Sequence, residues 1–159
     1  EERRSIFPRD YTDTPIPEHI MDEVLSKAVL APNHKRTKPW RFKVFKGQEK
    51  QKLEQELQSI YQATTPDFQF LQKKYDDIGN EISKANAVIS IVVEFSGLVP
   101  DWEEIAATAM AVQNMYLTCT AHHIGCYWSS PKIVNQLTDS LKIEENQQCL
   151  GLFYMGSLE

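Results

Sequence analysis

The run AVISIVVEF, residues 87–95, constrains the fold more than any other stretch of the chain. It is almost unbroken in β-branched residues and holds neither glycine nor proline, which reads as a strand. It also lacks the alternation of a half-exposed strand. A strand apolar on both sides must be covered on both faces, so the chain needs a sheet between two other layers.

The rest of the sequence supplies those layers. From Ile16 to Leu30, apolar residues Ile20, Met21, Val24, Leu25 and Ala28 recur at helical spacing, with Pro17 in the first turn and Pro32 past the end. Arg41 to Lys46 alternates apolar and basic residues, as a strand with one buried face does. Gln48 to Gln62 returns to helical spacing through Leu53, Leu57 and Ile60. Residues 63–84 predict a polar helical cover started by Pro66 and weakened by Gly79. Asp101 is the expected N-cap of a long helix reaching His123, with Glu103 and Glu104 in its first turn. That helix shows two stripes, Ile105, Ala109, Val112, Tyr116 and Ala106, Met110, Leu117, so it should be covered on two sides. In a chain this short the second cover can be another subunit. Cys126 to Trp128 and Gly151 to Gly156 read as strands, and Pro131 to Leu137 as a short helix. The expectation is one α/β (α+β) domain over residues 1–159, a central mixed sheet flanked by helices.

The totals exclude several function classes. With a net charge of -5, the chain lacks the basic surplus of a nucleic-acid binder. No apolar run approaches a membrane span. Cys119, Cys126 and Cys149 cannot all pair and sit in apolar surroundings, which predicts reduced thiols and a cytoplasmic location. The chain opens on Glu1-Glu2-Arg3 without a methionine, so a leading segment is expected to be missing.

Four clusters could carry chemistry. Arg3, Arg4 and Ser5 join two guanidiniums to a hydroxyl, a donor set that suits phosphate; the plain alternative is a solvated basic terminus. APNHKRTKPW, residues 31–40, concentrates four basic or imidazole side chains between Pro32 and Pro39. The prolines stiffen it, and His34 and Lys38 could face one ligand; the alternative is an irregular connection. CTAHHIGC, residues 119–126, has metal-ligand residue types, but its spacing matches no zinc site and Gly125 breaks the helix, so no metal is expected. Trp128, Ser129 and Ser130 precede Pro131 at a strand end, where α/β sheets bind ligands; simple helix capping is the alternative. There is no Walker loop, GxGxxG or HExxH, and no nucleophile–base pair stands out. A cofactor should therefore carry any chemistry.

In order, RRS, APNHKRTKPWRF, ANAVISIVV, the Ala-rich helix ending HHIGCYWSS, and GLFYMG resemble the segments of the FMN-dependent nitroreductase family, in its small single-domain bacterial branch. The resemblance spans essentially the whole chain. It implies an obligate homodimer with FMN at the subunit interface. Arg3, Arg4 and Ser5 would hold the phosphate and ribityl end. His34 and Lys38 would reach the flavin held mainly by the other subunit, while Trp128, Ser129 and Ser130 would line the ring pocket. It further implies ping-pong hydride transfer from NAD(P)H to a nitroaromatic, quinone or activated alkene, with no side chain acting as a covalent catalyst. A flavin carrier or redox sensor without turnover is the alternative on the same fold. Two departures stand out: Lys38 occupies a position where relatives often carry Gln, and nothing basic follows Lys142 in this sequence, so either Arg3 and Arg4 suffice for the phosphate or a late basic residue lies beyond Glu159.

Overall fold

The computed structural model describes residues 2–159. Its four strands, β1 (Trp40–Phe45), β2 (Ala87–Glu94), β3 (Ile124–Ser129) and β4 (Gln147–Ser157), form one sheet in the order β1-β2-β4-β3. The 87–95 run is thus a central strand, and seven of its eight β2 positions are buried. Four α-helices cover the sheet: α1 (Glu18–Ala28), α2 (Gly47–Thr64), α3 (Gln72–Lys84) and α4 (Asp101–Ala121). Helices α1 and α4 pack on one face with Ile89, Ile91 and Phe153. Helices α2 and α3 cover the other, over Val88, Leu152 and Tyr154.

The expected mixed sheet is corrected by the strand pairings, all of which are antiparallel among the described residues. Two helical passes, α2 and α3, return the chain to the end where β1 finished, so β2 runs back beside it. The crossover β2-α4-β3 does make two strands that point the same way. However, β4 inserts between them and pairs antiparallel with both.

Residues 63–84 form the return half of a helical hairpin. Pro66 opens only a single 3₁₀ turn at Asp67–Gln69, and α3 begins later. Helix α3 runs unbroken through Gly79. This glycine is buried where α2 comes closest, and a Cβ there would lie 2.4 Å from Gln58 Nε2. Gly151 has a similar role in β4. The register slips by one residue between Ile91 and Val92, leaving Leu150 as a bulge, and Gly151 beside it takes φ 140°. The bulge reverses the side-chain alternation, so Leu150, Phe153 and Met155 face α4 while Cys149, Leu152 and Tyr154 face α3.

Two further expectations change. Asp101 is the first residue of α4 rather than its cap, which is Pro100. The inward side of α4 is Glu104, Ala107, Thr108, Ala111, Val112, Met115, Tyr116 and Cys119. Ile105, one member of the expected buried stripe, lies with Trp102, Met110 and Leu117 on the open side. The second expected stripe, Ala106, Met110 and Leu117, does form an apolar face turned away from the sheet, whereas the first is rotated, keeping Val112 and Tyr116 inward but replacing Ile105 and Ala109 with Ala107, Ala111 and Met115.

Glu56 on α2 pins the approach to β4. Its carboxylate accepts the backbone N–H groups of Thr138, Asp139 and Ser140 at 2.7, 3.0 and 2.7 Å. Burial alone would raise this carboxyl, but the hydrogen bonds outweigh it and hold it below the usual range. A depressed folded-state value stabilises the fold above the unfolded-state pKa, and that contribution disappears as pH falls through the folded value. The wild type should lose stability between about pH 5 and pH 3 more steeply than Glu56→Gln. Thermal melts of both proteins across that range check it, and identical slopes would contradict it.

Candidate active site

The N-terminal segment lies along β3, where the Ile6 N–H donates to the Cys126 carbonyl at 2.9 Å. This contact places Arg3 and Ser5 against Tyr116 of α4. The Arg3 guanidinium sits 5.5 Å from the centre of the Tyr116 ring. Ser5 Oγ lies 3.3 Å from the Tyr116 hydroxyl. The same phenol oxygen accepts the backbone N–H of Trp128 at 2.8 Å. Edge-on contact with Phe153, 5.1 Å between centroids, fixes the ring itself. One buried phenol thus joins the arginine–hydroxyl segment to the Trp–Ser–Ser strand end. Sequence patterning counted Tyr116 only as an apolar stripe residue. Its signal was chemical, since a buried tyrosine hydroxyl needs a partner.

Arg4 is not brought to that point. Adjacent side chains of an extended chain point to opposite sides, and Arg4 lines a separate cleft of about 390 Å³ with Thr120, His123 and Leu158.

The strand end divides in the same way. Trp128 packs against the α1–α4 side, and its indole N–H donates to the Leu150 carbonyl at 3.1 Å. Ser129 instead lines a cavity of about 340 Å³ on the α2–α3 side, with Tyr61, Lys74, Ile78, Glu81 and Pro131 among its walls. Ser130 is exposed. Burial and then the neighbouring Asp77 push the Glu81 carboxyl up. Burial and then Glu81 push the Tyr154 phenol up at the same cavity. The Lys74 ammonium stands 5.1 Å above the Tyr61 ring. Here α3 supplies a wall to the strand-end pocket.

The basic loop occupies the far end of α4. Lys35, Arg36 and Lys38 all adopt left-handed backbone conformations, with φ of 51°, 56° and 47°. Such φ values are uncommon for side chains of this size and are held by the surroundings. The Lys38 N–H donates to Asn33 Oδ1 at 2.8 Å, and the Lys35 ammonium donates to the Leu98 carbonyl at 3.0 Å. His34 Nδ1 is 2.6 Å from Glu103 Oε2. Among the described residues neither the Arg36 guanidinium nor the Lys38 ammonium makes a hydrogen bond or ion pair, so both loop cations are left available. Glu103 and Tyr116 are separated by about 20 Å along the helix at roughly 1.5 Å per residue. Within one chain the structure therefore does not bring His34 and Lys38 to Arg3, Ser5 and Trp128.

Between these two ends α4 presents its open face. Trp102 is 67% exposed, Met110 41% and Leu117 51%, at helical spacing, and Leu30 at 69% extends the patch from α1. The CTAHHIGC cluster lies where α4 passes into β3. Cys119 and Cys126 are buried in the core, and His122 Nε2 lies 2.9 Å from Glu23 Oε2. No group of three potential metal ligands occurs among the described residues. No helix is long and apolar enough to cross a membrane.

An antiparallel sheet between a helical hairpin and a long helix with one apolar face left open, bearing an arginine–serine–tyrosine cluster at one end, defines an α+β fold built around α4. Residues 1–157 match the family model described as the Nitroreductase family, and the chain belongs to that family. YfhC of Bacillus subtilis, provisionally named an NAD(P)H nitroreductase, is 26% identical over 97% of this chain and 79% of its own. The crystal structure of a nitroreductase-like family protein from Bacillus cereus is 25% identical with a TM-score of 0.79, covering 99% of this chain and 82% of that one. The FMN-dependent nitroreductase NfnB of Mycobacterium smegmatis, solved in complex with NADPH, shares the fold at 16% identity with a TM-score of 0.78, over 99% of this chain and 84% of its own.

Proposed function

We propose that the protein is an FMN-dependent NAD(P)H oxidoreductase that works as a homodimer and reduces nitroaromatic, quinone or activated-alkene acceptors by a ping-pong mechanism. The observation that carries this reading is the meeting of Arg3, Ser5 and Trp128 at Tyr116, a phosphate-type donor set fixed beside an aromatic strand end. Those residues fit FMN. Arg3 and Ser5, with Arg4 from the neighbouring cleft, would hold the phosphate and ribityl end, and Trp128, Ser129 and Ser130 would line the ring pocket.

The separation along α4 supports the dimer. A two-fold axis through the open face of α4 sets two copies antiparallel, so the N-terminal end of one meets the C-terminal half of its partner. His34 and Lys38 of one subunit would then complete the site formed by Arg3, Ser5 and Trp128 of the other. When bound, the flavin supplies the redox chemistry, accepting hydride from the nicotinamide and passing it to the acceptor. The side chains bind, orient and tune. The cavity walled by Tyr61, Lys74 and Ile78 is within the size range of small-ligand pockets and meets the strand end at Ser129.

The direct test is spectroscopic. Purified protein should be yellow or take up FMN, bleach with NADH or NADPH under anaerobic conditions, and recover colour on addition of nitrofurazone or menadione. A colourless protein that cannot be reconstituted would overturn the proposal, and a yellow one that neither nicotinamide reduces would point to a carrier. Lys38 adds a prediction of its own. A free cation beside the ring favours the anionic reduced form, so Lys38→Gln should lower the midpoint potential of the bound flavin. Spectroelectrochemical titration measures it, and an unchanged potential would remove Lys38 from the tuning role.

A further inference from the structure

We propose that Tyr116 is a positioning residue that sets Ser5 as an outward hydrogen-bond donor to the cofactor phosphate. The proposal rests on the flavin reading above and adds to it a residue, and a direction for each proton.

The argument follows from donor and acceptor counts at one oxygen. A backbone N–H can only donate, so the phenol oxygen of Tyr116 is the acceptor from Trp128 at 2.8 Å. The phenol proton remains to be placed. The only other hydrogen-bond partner found for it among the described residues is Ser5 Oγ, at 3.3 Å. If Tyr116 donates to Ser5, the serine oxygen is satisfied and its own proton is left to point away from the protein. The chain of donors then runs from the Trp128 N–H through the Tyr116 O–H to the Ser5 O–H, and ends at whatever anion lies beyond. Each bond polarises the next in the same sense. Were the Ser5 proton turned inward to Tyr116, the serine would offer an anion only lone pairs.

The surroundings keep this direction fixed. Tyr116 is only 9% exposed, and its ring is held edge-on by Phe153, so the phenol oxygen stays between the Trp128 N–H and Ser5. The Arg3 guanidinium over the ring places a fixed positive charge beside the outward serine proton. Arg3 and Ser5 then act together on one anion, the first by charge and the second by a directed donor. In this arrangement Tyr116 acts on the anion through Ser5.

Tyr116→Phe removes the phenol oxygen but keeps the ring, its contact with Phe153 and its contact with Arg3. Binding of FMN and of riboflavin, which lacks the phosphate, is measured by flavin fluorescence quenching for wild type, Tyr116→Phe, Ser5→Ala and the double variant. FMN affinity should fall about tenfold in Tyr116→Phe, as for one charge-assisted hydrogen bond. Riboflavin affinity should be unchanged, and adding Ser5→Ala should weaken FMN binding little further. Equal losses for FMN and riboflavin would show general loosening of the strand end and overturn the proposal, as would full additivity with Ser5→Ala. Unchanged FMN affinity in a folded Tyr116→Phe protein would overturn it while leaving the flavin reading intact. A wild type that binds neither flavin removes both. If Tyr116→Phe does not fold, Ser5→Ala alone decides: a selective tenfold loss for FMN supports the donor chain, and no loss ends it.

Discussion

Met110→Glu should convert the protein to monomers that have lost their FMN while each chain stays folded. Met110 is 41% exposed on the open side of α4, so in a single chain the new carboxylate remains in water. Surface substitutions of this kind change the stability of a fold by about 0.5 kcal/mol or less. At a two-fold interface the same change buries two carboxylates, one from each copy, without partners. An unpaired buried charge costs several kcal/mol, enough to undo a modest interface. Loss of flavin should follow loss of the dimer, since His34 and Lys38 lie about 20 Å along α4 from the cluster they would complete. Light scattering after size exclusion gives the mass, absorbance gives the flavin, and circular dichroism confirms the fold. A yellow dimer would place the interface elsewhere and detach the basic loop from the site.

The parts of this structure that were legible in the sequence are those that depend on local patterning. The β-branched run of β2 required two covering layers, and both are present. The long helix announced two apolar faces because its composition permits no single buried stripe. Its outward stripe, Ala106, Met110 and Leu117, was read in place, but the full inward set was not. Ala106, Ala109 and Ala111 differ little as isolated residues, and which of them turns inward is decided by packing against α1 and the sheet. Gly79 shows the limit in another way. Locally a glycine weakens a helix, yet here it admits Gln58 of α2, a partner twenty-one positions away in the chain. The bulge at Leu150 lies in the pairing of β4 with β2, a long-range register that no window of β4 records. The candidate site divides along the same line. RRS and YWSS were visible as motifs, but their union through Tyr116, and the turning apart of Arg3 from Arg4 and of Trp128 from Ser129, belong to the tertiary arrangement.

That turning apart sharpens what the two arginines should do. Replacing both Arg3 and Arg4 by alanine should weaken FMN binding by several kcal/mol, since each guanidinium hydrogen-bonded to a phosphate contributes about 1.5–3 kcal/mol. The two losses should not be equal. Arg3 sits over Tyr116 beside Ser5, whereas Arg4 opens into the cleft with Thr120 and His123. Arg3→Ala should therefore account for most of the double variant's loss, and Arg4→Ala for the long-range share that salt screens. Raising the salt from 50 to 500 mM should narrow the gap between wild type and Arg4→Ala but leave most of the Arg3→Ala deficit, because a direct hydrogen bond is short-ranged and partly desolvated. Fluorescence titration of FMN at the two salt concentrations separates these contributions. Equal losses from the two single variants would mean that the segment pivots to present both guanidiniums, and an unaffected double variant would place the phosphate away from the N-terminus altogether. On the flavin reading, the phosphate should therefore be held chiefly by Arg3 and Ser5, the two of these three residues that share a side with Tyr116.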